Sequence, residues 1–213
     1  GYYLWDLFRH AEALERFRRA RIEEILETED NSFQQFAKAS QKLMPFLEEL
    51  ARNTKRASLQ FVLDLYANAE RRFNEGKIDD AVLRLYRLVE MAAQERLLNK
   101  YSIDASDVKE EQIPDELREE YARSYRNPRD NKIKLPMNAA LRMLKSMGDK
   151  LGEEFEKQKS KFLNIQNSRN QSYLAHGLNS SRETTYIDLR NFVFELGIFR
   201  VEEAVFFPQF DTN

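Results

Sequence analysis

The sequence contains no cysteine, two histidines, and few of the residues that build turns. The absence of cysteine excludes disulfide bonds and thiolate metal sites, and two histidines are too few for a histidine-rich metal site within one chain. Six glycines and five prolines among 213 residues leave little material for β-hairpin turns. Since no stretch alternates apolar and polar residues over several positions, we predict an all-α protein.

Charge of one sign is not in excess either, because 34 basic residues face 36 acidic ones. No global field would attract a nucleic acid, so any such contact has to come from a local group of residues. Long apolar runs are also missing, and none approaches the roughly 20 residues that cross a bilayer. We therefore expect a cytoplasmic protein without a membrane partner. Because the chain begins with Gly1 and not with methionine, we also expect a fragment whose upstream domain is absent.

Apolar residues recur at helical spacing along most of the chain. One helix is predicted over residues 4–27. A second contains Pro45, which has to kink or split it, and a third stops at Gly76. Asp79 or Asp80 is predicted to cap the next helix. The remaining predicted helices span 116–125, 137–147, a long segment from 152 into 169, and 184–207.

The composition changes near Gly76, which suggests two helical units, residues 1–75 and 76–213. The segment NEGKIDDAVLRLYRLVE around this point leaves a second interpretation open. Gly76, Ala81 and Tyr86 lie where a tetratricopeptide helix pair places small and aromatic residues. Such arrays need about three repeats, and no second copy follows at an offset of about 34 residues. A non-catalytic interaction module is therefore the alternative prediction.

The segment RNQSYLAHG carries the clearest chemical signal of the chain. Six residues separate Arg169 from His176, so on a helix the two side chains would share one face with Tyr173. Histidine exchanges a proton near neutral pH, and arginine holds a phosphate with a planar fork of donors. The pair indicates phosphodiester chemistry. The alternative to a catalytic role is that Arg169 and His176 form an exposed structural pair, with His176 stabilised by a helix C-terminus.

Cleavage of RNA without a metal needs a base for the ribose 2′-hydroxyl, an acid for the departing 5′-oxygen and a cation for the charge on phosphorus. His176 alone cannot easily serve as both acid and base. A two-fold dimer would bring two copies of Arg169 and His176 to one composite site, and two-fold dimers are the commonest assembly. We therefore predict a homodimer.

Arg169-Asn170, the six-residue spacing and Ala175-His176-Gly177 between long helices resemble the HEPN superfamily of nucleases, whose signature is arginine, four to six residues, then histidine. The resemblance extends over about 77–213. Upstream, YYLWDLFRHAEALERF resembles the helical linker domain of CRISPR-associated members. The fold that this implies is a helical linker unit at 1–75 followed by a HEPN-type helical bundle at 76–213.

The resemblance also implies a function and a set of roles. Arg169 and His176 would be catalytic, and Asn170 would orient the arginine or the phosphate. The activity would be that of a metal-independent endoribonuclease acting on single-stranded RNA in type III CRISPR antiviral defence, with no cofactor. Cyclic oligoadenylate would act only through a missing upstream Rossmann-like sensor domain. Some HEPN relatives are binding partners without activity, but they often lack the Arg/His pair that is present here.

Overall fold

The computed structural model describes residues 1–20, 26–27, 31–52, 57–170 and 182–208, with the backbone alone for 167–170. Within these residues the chain forms ten α-helices and two short 3-10 helices, and no β-strand. The prediction of an all-α protein is confirmed. Contacts divide the chain into two compact units, residues 1–56 with 204–213, and residues 57–203.

The first unit contains α1 (Tyr2–Asp6), α2 (His10–Arg19) and α3 (Asn31–Arg52). Its core is aromatic, because Trp5 is 1% exposed and lies against Phe46 and Phe207, with ring centroids 6.2 and 5.0 Å away. The Tyr2 hydroxyl donates a hydrogen bond to Ser40 Oγ at 2.8 Å, which joins α1 to α3. His10 is buried in this unit, in line with a structural role.

The prediction of one helix over 4–27 is wrong. α1 ends at Asp6, and Phe8 has a positive φ of 58°, so the helical path is interrupted before α2 starts at His10. Periodicity could not reveal this break, since Leu7 and Leu14 keep helical spacing across it. Pro45 lies inside α3, which is assigned as one helix, so a split at this proline is excluded.

The described residues of the second unit form seven α-helices. The two longest, α4 (Leu59–Asn74) and α5 (Ile78–Tyr101), form an antiparallel hairpin. The others are α6 (Asp115–Ser124), α7 (Met137–Ser146), α8 (Lys150–Lys157), α9 (Lys159–Asn170) and α10 (Glu183–Glu195). α10 packs on α5 and on α9, while α7 packs on α5 and α8, so α5 forms the centre of this unit.

Glycine ends two helices of the second unit as predicted. Gly76 follows α4 with φ 73°, and Gly148 follows α7 with φ 68°, a conformation that only glycine adopts without strain. The predicted cap at Asp79 or Asp80 is wrong, because α5 starts at Ile78. Both carboxylates lie in the first turn instead, where the positive end of the helix dipole stabilises them.

Two long predicted helices are shorter in the structure. The helix predicted from 152 into 169 is broken at Gln158, which separates α8 from α9. The helix predicted over 184–207 ends at Glu195, and Gly197 follows with a positive φ of 63°. In both cases the apolar spacing continues past the break, so the break is set by backbone conformation and by packing.

The division into a linker at 1–75 and a HEPN domain at 76–213 stays a prediction. The compact units of the structure divide the chain at 56–57, and α4 belongs to the second unit. The tight hairpin of α4 and α5 is the physical reason, because a helix packed along most of its length on α5 joins the unit that α5 organises.

Candidate active site

The predicted site begins at the C-terminal end of α9. Arg169 and Asn170 are the last two residues of this helix, and the structure describes their backbone. Their side chains lie outside the described residues, and so does His176 with the whole of 171–181. α10 begins at Glu183, so the two helices carry the two ends of the candidate segment.

Aromatic packing fixes α9 in the bundle. Phe162 is fully buried, and its ring lies between those of Phe155, Tyr86 and Phe192, with centroid distances of 5.3, 5.7 and 5.1 Å. These rings come from α8, α5 and α10, so one side chain ties α9 to three neighbours. A buried aromatic ring of this kind contributes several kcal/mol, roughly 3–5 when it is truncated to alanine.

One turn further along α9, a hydrogen bond fixes the approach to Arg169. Gln166 Nε2 donates to the hydroxyl of Tyr86 at 3.0 Å. Tyr86 lies near the beginning of α5, so the end of α9 points toward that end of the bundle. The last turn of α9, which carries Arg169 and Asn170, therefore extends from an anchored position.

The start of α10 is anchored at the same end of the bundle. The Tyr186 ring stacks on Phe73 near the end of α4, with centroids 4.2 Å apart and planes 14° from parallel. The Tyr186 hydroxyl donates to Glu70 Oε1 at 2.6 Å, and the Arg190 guanidinium lies 3.7 Å from the same oxygen. The two helices that flank residues 171–181 in the chain, α9 and α10, are thus both anchored in the bundle.

The electrostatics of this anchor favour a structural role. Burial raises the pKa of the Tyr186 hydroxyl, and the hydrogen bond to the Glu70 carboxylate raises it further. Tyr186 is therefore a neutral donor at physiological pH and does not exchange protons with a substrate. No local signal in the sequence pairs Tyr186 with Glu70, because the two residues lie 116 positions apart.

Charged residues on the polar side of α5 form ion pairs within the helix. Arg87 forms an ion pair with Glu90 at 2.7 Å, and Arg84 lies 3.4 Å from Asp80. Arg84 also donates a hydrogen bond to the buried Asn68 of α4, so its guanidinium joins the two helices of the hairpin. These contacts are in keeping with a structural role for both arginines.

Neither a metal centre nor a membrane-spanning helix is present in the part of the chain that the structure describes. No group of three or more histidine, aspartate and glutamate side chains in it is placed to hold a metal ion. No helix in it is long and apolar enough to cross a bilayer.

A family model described as the Csm6 HEPN domain matches residues 50–200. The matched segment is well over half of the chain and contains α4 to α10 together with Arg169, Asn170 and His176. The chain belongs to this family. Comparisons with curated proteins and with solved structures gave no match. Membership makes the chain a CRISPR-associated HEPN protein, and it confirms the resemblance inferred from the Arg/His motif.

Proposed function

We propose that the chain is a metal-independent endoribonuclease that cleaves single-stranded RNA at a composite site formed by two copies of Arg169, Asn170 and His176. The observation that carries the proposal is an intact signature inside the segment matched by the Csm6 HEPN family. In it Arg169 is followed directly by Asn170, and six residues separate Arg169 from His176. Its position between two helices with anchored ends supports the proposal further, because catalytic groups have to be held in place.

Each residue has a role in this reaction. His176 takes the proton of the ribose 2′-hydroxyl, whose oxygen attacks phosphorus while the bond to the 5′-oxygen breaks. A second imidazole returns a proton to the departing 5′-oxygen. Arg169 balances the charge that develops on the phosphoryl oxygens, and Asn170 orients the arginine or the phosphate. The products end in a 2′,3′-cyclic phosphate and a 5′-hydroxyl.

The need for two proton carriers makes dimerisation part of the proposal. Each chain supplies one histidine in the signature, and His10 is buried in the other unit. A two-fold axis beside the C-terminal end of α9 would bring the second His176 and the second Arg169 to the same phosphate. The homodimer is thus the simplest assembly that completes the reaction.

The biological setting follows from the family. A CRISPR-associated HEPN domain fits an effector of type III antiviral defence in the cytoplasm. Activation by cyclic oligoadenylate would then require a sensor domain upstream of this chain.

The central test is the substitution His176→Ala. We expect RNA cleavage to fall by about 10²–10⁴ because general acid–base assistance is lost, while the thermal unfolding temperature stays unchanged. Arg169→Ala is a second test variant within the signature. Its matched control is Arg129→Ala at an exposed turn. Cleavage of fluorescent RNA is measured with and without EDTA, and the chelator should have no effect.

Two outcomes would overturn the proposal. An unchanged cleavage rate in His176→Ala would remove the enzyme assignment. Cleavage that requires magnesium, or that proceeds on an all-deoxy strand, would show that the 2′-hydroxyl is not the nucleophile.

A further inference from the structure

A cavity of about 180 Å³ lies between α7, α8 and α9 of the second unit and Tyr125, the residue that follows α6. The buried residues Ala139 and Phe155 line it, together with Tyr125 and the exposed Leu163. The Tyr125 ring is held at 88° to the ring of Tyr121, with centroids 5.1 Å apart. Pockets for drug-sized ligands start at about 300 Å³, so this one takes a single planar ring.

The rim of the cavity is polar and contains two cations. Asn138 and Arg142 of α7 lie on one side, and Lys159 of α9 lies on the other. Arg142 Nη1 also pairs with Glu120 of α6 at 2.6 Å, in an exposed position where water makes such a pair weak. The Asn138 amide can both donate and accept a hydrogen bond. Glu156 is the one acidic lining residue, and the ammonium groups of Lys145 and Lys159 each lie 3.6 Å from its carboxylate. The three groups together carry one net positive charge.

We propose that this cavity binds one unpaired base of the RNA strand, while Arg142 and Lys159 contact the adjoining phosphates. The inference rests on the proposed function, since it assigns a substrate subsite to the same enzyme. Single-stranded RNA is recognised by stacking bases on aromatic side chains and by hydrogen bonds to their edges, within a groove that carries positive charge. Tyr125, Asn138 and the two cations supply these three elements.

The geometry of α9 connects the cavity to the signature. Positions 159, 163 and 170 are four and seven residues apart, so they lie on one side of the helix. At 1.5 Å per residue, position 163 is about 10 Å from position 170 along the axis. A stacked strand advances about 3.4 Å per nucleotide, so the bound base lies about two or three nucleotides from the cleaved phosphate.

The first experiment measures binding without cleavage. The probe is a short unstructured RNA whose 2′-hydroxyls are replaced by fluorine, so that no nucleophile is present, and affinity is read by fluorescence anisotropy. Tyr125→Ala should weaken binding about 5- to 100-fold, the range for one stacked base. Leu163→Ala and Asn138→Ala, at exposed positions, should also weaken binding. These two variants test the cavity even if Tyr125→Ala fails to fold.

The second experiment uses two exposed lysines, one that lines the cavity and one that does not. Lys159→Ala removes a phosphate contact and should reduce the slope of log affinity against log salt by about 0.7. Lys157→Ala, which removes an exposed lysine paired with Glu154 outside the cavity, should leave the slope unchanged. Equal slopes in the two variants would overturn the assignment of Lys159.

The third experiment locates the bound base. An abasic nucleotide is moved along a cleavable RNA, and it should raise KM with little change in kcat at one position about two or three nucleotides from the cut. In Tyr125→Ala the same abasic nucleotide should cause no further loss, because base and ring act as a pair. Additive losses, or no sensitive position, would overturn the subsite.

The experiments separate this inference from the proposed function. Cleavage by the wild-type chain with no effect of Tyr125, Asn138 or Leu163 would remove the subsite and leave the ribonuclease intact. Binding that depends on Tyr125 in a chain that does not cleave RNA would keep the subsite and remove the ribonuclease. Absence of both binding and cleavage would remove both.

Discussion

At the scale of single residues, Asp149 shows how one buried carboxylate joins two elements. It is 1% exposed, and its oxygens accept from Lys100 Nζ at 2.7 Å, the Tyr101 hydroxyl at 3.0 Å and the Leu151 N–H at 2.9 Å. Burial alone would raise the pKa of Asp149. These hydrogen bonds and the nearby Arg96 outweigh burial and hold the pKa below its usual range.

The first prediction is that Asp149→Asn lowers stability in a pH-dependent way. Because the folded pKa is lowered, the carboxylate contributes stability above about pH 4 and loses that contribution as the pH falls through the folded value. We expect a loss of about 2 kcal/mol or more in the free energy of unfolding at pH 7, narrowing below about pH 4. Urea unfolding across pH measures the loss, with Asp188→Asn at an exposed position as control. A difference in unfolding free energy between wild type and Asp149→Asn that grows toward low pH would contradict the argument.

Gly152 shows a different constraint, the close approach of two backbones. A Cβ at this position would lie 2.2 Å from the backbone nitrogen of Lys145 and 2.7 Å from the carbonyl carbon of Leu144. Backbone atoms cannot move aside as the end of a flexible side chain can. The glycine therefore allows α8 to pack directly against the last turn of α7.

The second prediction is that Gly152→Ala costs about 3 kcal/mol or more of unfolding free energy, at the upper end of overpacking penalties. The matched control is Gly76→Ala, where nothing lies within 4 Å of the added Cβ and only the positive φ of 73° opposes the change. That variant should cost about 1 kcal/mol. Equal losses would mean that α7 and α8 separate without cost.

At the scale of elements, two adjacent positions on α9 allow the stability contributed by buried packing to be compared with that of a surface ion pair. Phe162 is fully buried among three rings, whereas Lys161 forms an ion pair with Glu195 of α10 at 2.7 Å in an exposed position. Both contacts join α9 to other helices. Exposed ion pairs contribute little because water and salt screen them.

The third prediction compares the two positions directly. Phe162→Ala should cost about 3–5 kcal/mol and increase hydrogen exchange along α9, since the ring touches three helices. Lys161→Ala should change stability by a small fraction of that amount. If both variants lost similar stability, the anchoring of the signature would be electrostatic instead of apolar.

At the scale of the whole molecule, the proposed reaction depends on assembly. One signature histidine per chain leaves each subunit short of a second proton carrier. Activity should therefore require the dimer and fall faster than linearly on dilution below the dimer dissociation constant.

The fourth prediction concerns mixed dimers. When wild-type chains are mixed with His176→Ala chains at constant total concentration, heterodimers should be nearly inactive, so cleavage should follow the square of the wild-type fraction. The control is mixing with Arg129→Ala chains, which should leave the cleavage rate unchanged at every wild-type fraction. A linear decline with His176→Ala would mean that each chain works alone.

The sequence alone determined the helical class, the stop signals at Gly76 and Gly148, and the Arg169/His176 signature. Each of these depends on residues close together in the chain, where helical periodicity and turn preferences operate. The family match to the Csm6 HEPN domain agrees with that local signal. Local signals did not reveal the break at Phe8 or the early end of the last helix, because apolar spacing continues across both.

The tertiary structure decided which distant residues meet. Tyr186 reaches Glu70 across 116 positions, Gln166 reaches Tyr86 across 80, and Lys100 reaches Asp149 across 49. The cavity beside Tyr125 also exists only because separate helices converge. Composition and spacing cannot specify such contacts, since they depend on how the other six described α-helices of the second unit pack with α5. That packing is set by the sum of many buried contacts.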